Sequence, residues 1–93
     1  MYRIKPYSYE KADLFGVKIY PSENPKYKIE MYDARTGDFL GYGGASRYSD
    51  YPTYLETHGK EYAENRRRLY WIRHEKDASK VGSKGWLVAN ILW

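Results

Sequence analysis

Hydrophobic and polar residues alternate along the first half of the chain in the pattern typical of antiparallel strands. β-Branched and aromatic side chains recur at every second position in residues 2–7, 15–20 and 27–32, and turn-forming residues separate these runs. Pro6 confines the first run to a sheet edge or ends it early, because proline has no backbone N–H to donate to a neighbouring strand. The alternation therefore predicts three short strands in this half.

The third run leads into the best-defined element of the sequence, a β-hairpin. Residues 34–38 form its loop, in which Gly37 can adopt the positive φ that a short hairpin requires. The return strand is predicted from Phe39 to about Tyr42, where a pair of glycines follows. The sheet is therefore expected to contain three or four antiparallel strands.

The second half changes to a helical pattern. Residues 47–57 are rich in tyrosine and contain Pro52, and they are predicted as an ordered but irregular segment. Good helix formers then dominate from Gly59 to Asp77, which predicts one long helix. A step of 100° per residue places four side chains on one side of it, with Trp71 opposite: Tyr62, Asn65, Leu69 and Ile72.

The chain closes with a short segment that is hydrophobic nearly all round. Ser83 is a suitable N-cap for a last helix, and from Trp86 to Trp93 only Asn90 is polar. A helix without a polar face must be covered by the sheet, by the longer helix or by another molecule.

Length and composition fit one small α+β domain that spans residues 1–93. Aromatic residues make up 18% of the chain, so their rings must supply much of the core. There is no cysteine, and hence no disulfide or thiolate site. No apolar run approaches the roughly 18 residues that a membrane span needs, so we expect a soluble intracellular protein without a membrane partner.

The positive charge is concentrated in the second half. The net charge is +4 overall, but residues 66–84 alone hold seven basic and only two acidic side chains. Guanidinium groups pair with phosphates and an exposed ring stacks on a base, so this segment is a candidate nucleic-acid-binding strip. The candidate residues are Arg66, Arg67, Arg68, Trp71, Arg73, Lys76, Lys80 and Lys84.

Two alternatives remain for this strip. Its arginines could pair with the glutamates of neighbouring helical turns, Glu61, Glu64 and Glu75, or the strip could contact an acidic protein surface. A net charge of +4 favours polynucleotides only weakly, and the interleaved acids reduce the field further.

Catalytic and cofactor motifs are weak by comparison. The glycine-rich run at residues 41–46 lacks the lysine–serine pair of a phosphate-binding loop and is better explained as a strand end at which the chain turns. The two histidines, His58 and His74, are too far apart for a short metal-binding motif. An acid–base site could be built from Asp50, Glu56 and His58, but no spacing singles them out. We expect neither an enzyme nor a cofactor.

Three motifs, taken in order, resemble those of a group of small, basic, uncharacterised proteins encoded by large double-stranded DNA viruses of algae and protists. They are the Tyr48-Ser49-Asp50-Tyr51 loop, the arginine-rich segment from Arg66 to His74, and the closing Ile91-Leu92-Trp93. The resemblance covers about two thirds of the chain and leaves residues 1–26 without a counterpart. It implies a viral protein that resides in the host cell interior and is carried in the virion, and it implies no activity.

Two functions follow as hypotheses. The first is a non-catalytic virion-associated or nucleic-acid-binding protein that uses the basic strip. The second is a minor capsid protein, an adaptor or an inhibitor of a host factor that buries its apolar end against a partner protein. That second role requires Trp86, Leu92 or Trp93 to be exposed in the free chain.

A structural role is also open for part of the strip and the loop. These residues could instead form an arginine–aromatic–carboxylate cluster that locks the loop onto both helices. Its members would be Tyr48, Asp50, Tyr51, Arg66, Tyr70, Arg73 and Trp86.

Overall fold

Three antiparallel strands form one sheet in the order β1-β2-β3: β1 (Val17–Pro21), β2 (Tyr27–Asp33) and β3 (Phe39–Ala45). They are seen in a computed structural model that describes residues 2–93. The predicted hairpin is confirmed, and its loop has the expected chemistry. Gly37 has a φ of 79°, and the Asp33 carboxylate accepts hydrogen bonds from the backbone N–H groups of Arg35 and Thr36.

Helices precede and follow the sheet, and the predicted α+β class is confirmed. The last helix begins as expected, because the Ser83 hydroxyl accepts a hydrogen bond from the Trp86 N–H at 3.2 Å. The helices are α1 (Pro6–Leu14), α2 (Tyr51–His58), α3 (Lys60–Arg73), α4 (Glu75–Ala78) and α5 (Lys84–Leu92).

The one long helix predicted from Gly59 to Asp77 is divided at His74 into α3 and α4. Two further helices replace elements that the sequence pattern predicted differently. Residues 2–7 are not a strand, because α1 begins at Pro6, and proline suits the first turn of a helix. Residues 51–58 are helical rather than irregular. Asp50 caps α2 by accepting the Thr53 N–H at 3.0 Å, and Pro52 again lies in the first turn.

The core lies on one face of the sheet. Ile29 and Met31 of β2 are fully buried and pack with Ile91 and Leu92 of α5. The glycines of β3 make this approach possible. A Cβ added at Gly43 would lie 2.8 Å from Val88 Cγ2. The glycine-rich run therefore belongs to the strand, and it lets α5 lie directly on the sheet.

The closing segment is covered by the protein itself. Leu92 is fully buried, and Trp93 is only 8% exposed. Trp86 is half-buried and packs edge to face with Phe15, their ring centres 4.9 Å apart. The exposure that the protein-interaction hypothesis requires is therefore not found for Leu92 and Trp93, because α5 packs on the sheet and on α1, the first of the alternatives that its apolar pattern left open.

Candidate functional site

A cleft of about 510 Å³ opens between β3, α3 and α5. Its wall contains three cationic side chains and several rings, and no Asp or Glu of residues 2–93 lines it. Its charged and aromatic lining residues are Lys28, Tyr48, Tyr54, Arg66, Tyr70, Arg73, His74 and Trp93.

Two arginines give the cleft its uncompensated charge. Arg66 lies over the Tyr54 ring, with its guanidinium carbon 5.4 Å from the ring centre. The Arg66 Nε is buried and has no hydrogen-bond acceptor within the described residues. Across residues 2–93, no carboxylate lies within ion-pair distance of Arg66 or Arg73. The cleft therefore presents two guanidinium groups to any anion that enters.

A stack of parallel rings forms one side of the cleft. The Tyr70 ring lies 4.3 Å from Trp93 at an interplanar angle of 10°, and His74 stacks on Tyr70, also at 4.3 Å. Tyr7 fixes the inner end of the stack by donating its hydroxyl to the Trp93 carbonyl at 3.0 Å. Burial raises the pKa of Tyr70 although the Arg73 charge opposes this, so the phenol stays neutral. His74 is the exposed end of the stack.

Beneath the cleft lies a buried ion pair. The Lys28 ammonium donates to the fully buried Asp50 carboxylate at 3.0 Å, and the Tyr2 hydroxyl donates to the same oxygen. Burial opposes ionisation of Asp50, but the Lys28 charge and the hydrogen bonds from Tyr2, Thr53 and Lys28 outweigh it and lower the pKa of that carboxyl. The positive charge of Lys28 is thus compensated by Asp50, which leaves Arg66 and Arg73 as the cationic side chains available to a ligand.

Buried Lys28 departs from the alternation predicted for β2. It lies beside the buried Ile29, while Tyr27, expected on the inner face, is exposed. The reason is the Asp50 carboxylate, which draws the Lys28 side chain inward and compensates its charge.

The other six residues of the predicted basic strip do not line the cleft. Arg67 lies over the Tyr51 ring at 5.0 Å, with its charge 3.9 Å from Glu64. Arg68 points away from the core and donates to Asn65 at 2.9 Å. Four further candidates lie outside the cleft: Trp71 is half-buried, and Lys76, Lys80 and Lys84 are exposed. The structure therefore brings only Arg66 and Arg73 together.

The stripe of Tyr62, Asn65, Leu69 and Ile72 is not the buried side of α3. Ala63 is fully buried, whereas Ile72 is 61% exposed. Helix α3 packs against α2, and its small Ala63 side chain is buried in the core. This orientation of α3 sends Arg66 and Tyr70 toward the cleft. The spacing of Ala63, Arg66, Tyr70 and His74, at intervals of three and four residues, was the signal that could have identified this side.

Most of the other contacts proposed for the α3 arginines are not formed by the described residues. Among residues 2–93, Glu64 with Arg67 is the one pair formed between the α3 arginines and the three glutamates. The proposed arginine–aromatic–carboxylate cluster does not form as expected. Arg66 lies over Tyr54 and Asp50 pairs with Lys28, neither of which is a proposed member, and the Tyr51 ring is covered by Arg67.

The acid–base candidates lie in separate environments. Asp50 is held by Lys28, and Glu56 pairs with Lys5 at 2.7 Å. His58 stacks on Tyr62, and its Nδ1 lies 2.7 Å from the Thr57 hydroxyl. The described residues contain no group of three or more His, Asp or Glu side chains that could hold a metal ion.

Residues 2–93 also contain no helix with the length and apolar character needed to cross a membrane. Comparison with models of protein families, with curated proteins and with solved structures finds no match to this chain. What the protein does must therefore be argued from the geometry of the cleft and from the surfaces around it.

Proposed function

We propose that this is a non-catalytic nucleic-acid-binding protein that holds a single strand in the cleft between α3 and α5. The observation that carries the proposal is that Arg66 and Arg73 line the same cleft as the stacked rings of Tyr70 and Trp93, in a wall to which residues 2–93 contribute no Asp or Glu. The resemblance of its loop and helix motifs to viral proteins suggests a virion or the host cell interior as its setting.

The two arginines and the ring stack would contact different parts of a strand. Arg73 is exposed and could pair with a backbone phosphate, while the half-buried Arg66 adds positive charge deeper in the cleft. The exposed face of His74 extends the Tyr70–Trp93 stack and offers a surface to one base. A single strand fits this arrangement better than a duplex, because duplex bases are already stacked on each other.

Fluorescence anisotropy with a labelled oligothymidine and with a duplex of the same length tests this function. If two phosphates are contacted, the logarithm of affinity should fall with the logarithm of salt concentration at a slope of about −1.4, or roughly sevenfold between about 50 and 200 mM. Equal affinity for duplex and single strand, or affinity independent of salt, would contradict the proposal.

A pair of arginine substitutions separates the cleft from the surface of the helix. We expect Arg73→Gln to weaken oligothymidine binding and to reduce the salt slope by about 0.7. Arg68→Gln is the matched control, since it removes the same charge from the same helix outside the cleft. Equal losses in the two variants would show that α3 binds through its exposed surface and not through the cleft.

A further inference from the structure

The outer face of the sheet, opposite the core, carries a continuous series of five aromatic rings, here called the aromatic ribbon. Neighbouring ring centres lie between 5.2 and 5.7 Å apart. The ribbon crosses all three strands in the order Tyr20, Tyr32, Phe39, Tyr42 and Tyr27.

The ribbon is exposed and is not flat. Tyr20 and Phe39 are 50% and 51% exposed. Tyr20 and Tyr32 meet at 74°, and Phe39 and Tyr42 at 72°, so only Tyr27 and Tyr42 are nearly parallel. Tilted rings offer no continuous flat surface to a run of stacked bases, and they leave notches into which a narrow side chain can insert.

Acidic side chains at one end of the ribbon favour a positively charged ligand. A shallow depression of about 560 Å³ between β1 and β2 is lined by Tyr20 and Tyr32 together with three carboxylates and one ammonium group. The charged residues are Lys18, Glu23, Glu30 and Asp33.

Hydrogen bonds fix two of these carboxylates. Glu30 accepts from the Tyr32 hydroxyl and from the Glu23 N–H, both at 2.9 Å. Hydrogen bonds from the backbone of Thr36 and Arg35 lower the pKa of Asp33, which keeps it ionised. Phosphates would be repelled here, and a cation would gain both from the carboxylates and from the ring faces.

We propose that the aromatic ribbon is a docking surface for an arginine-bearing peptide segment of another protein. A guanidinium group is planar and weakly hydrated, so it can lie on a Tyr20 or Tyr32 face while its N–H groups meet Glu23 or Glu30. The ribbon would thus be the protein-interaction surface, in place of the apolar C-terminal segment, which lies on the other face of the sheet. It is independent of the cleft, and its failure would leave the nucleic-acid proposal unaffected.

The test uses a labelled peptide of alternating arginine and glycine, with a glutamate–glycine peptide as the opposite-charge control. We expect the arginine peptide to bind the intact protein and the glutamate peptide not to bind. Tyr20→Ser should weaken binding by about two- to fivefold, the range for loss of one exposed cation–ring contact. Glu23→Gln should weaken binding in the same direction, because it removes a carboxylate from the depression.

Tyr9→Ser is the matched control, because Tyr9 is an exposed tyrosine of α1 outside the ribbon. The proposal is overturned if the arginine peptide fails to bind, if both peptides bind equally, or if Tyr9→Ser weakens binding as much as Tyr20→Ser. It is also overturned if Tyr20→Ser reduces oligothymidine affinity while leaving the peptide affinity unchanged, because the ribbon would then be a nucleic-acid surface.

Discussion

The cleft and the aromatic ribbon use the same residue types under opposite charge. In the cleft, Tyr70 and Trp93 are stacked in parallel and lie beside two arginines that form no ion pair with a carboxylate of the described residues. On the ribbon, Tyr20 and Tyr32 are tilted and lie among carboxylates. A count of aromatic residues therefore says little about a ligand, and the charges beside the rings decide whether an anion or a cation is favoured.

The two surfaces also differ in what holds them in place. The ribbon follows from strand register, since Tyr20 lies opposite Glu30, and Glu30 lies opposite Tyr42. The cleft is lined by residues of β2, β3 and three helices, and the buried ion pair of Lys28 and Asp50 lies beneath it. Disturbing distant packing should therefore damage the cleft before it damages the ribbon.

Removal of the buried carboxylate should have the largest effect. We expect Asp50→Ala to lower the free energy of unfolding by about 3–5 kcal/mol, because it leaves the Lys28 charge buried without a partner. Urea unfolding followed by tryptophan fluorescence measures the change. Glu56→Ala is the control, because it breaks a pair with Lys5 whose carboxylate is exposed to solvent, and it should cost about 1 kcal/mol.

A double variant keeps this prediction testable if Asp50→Ala does not fold. Replacing both partners, with Lys28→Met and Asp50→Leu, removes the unpaired charge and should recover part of the lost stability. The rest stays lost, because Asp50 also caps α2 and accepts the Tyr2 hydroxyl. If the double variant is no more stable than Asp50→Ala, the ion pair is not what supports the cleft.

A smaller effect is expected from Gly43→Ala. The new methyl group would lie 2.8 Å from Val88 Cγ2 and 3.3 Å from Ile29 Cγ1, and overpacking of this kind costs about 1–3 kcal/mol. Val88 lines the cleft, so oligothymidine affinity should fall while affinity for the arginine peptide stays unchanged. Adding Val88→Ala should restore part of the stability. A loss of peptide affinity equal to the loss of oligothymidine affinity would contradict the separation of the two surfaces.

The sequence was most informative where local chemistry decides the structure. The hairpin at Gly37 and the start of α5 at Ser83 depend on turn and cap residues close in the chain, and both are as predicted. Residues 2–7 were misread because a period-two pattern over so few positions does not separate a strand from the entry into a helix. There the proline in the first turn was the stronger signal.

The site was harder to predict than the fold. Consecutive arginines on α3 point in different directions, and the side that faces inward depends on how α3 packs against α2. The spacing of Ala63, Arg66 and Tyr70 marks that side, but the more hydrophobic Leu69 and Ile72 lie on the exposed side.

Lys28 was missed because its burial depends on Asp50, which is distant in sequence. Arg66 and Arg73 were two of eight candidates chosen for their place in a basic segment, and both line the cleft because residues seven positions apart return to the same side of a helix.

The smallest expected effect is the coupling between the two surfaces, and it tests the comparison most directly. Arg73 lies in the cleft on the helix side of the sheet, and Tyr20 lies on its outer face. The double variant Arg73→Gln/Tyr20→Ser should therefore show additive changes, with an interaction energy below about 0.5 kcal/mol in both oligothymidine and peptide binding. Anisotropy titrations of the protein, both single variants and the double variant give this energy. A larger coupling would mean that one ligand contacts both surfaces, and the cleft and the ribbon would then be parts of a single extended site.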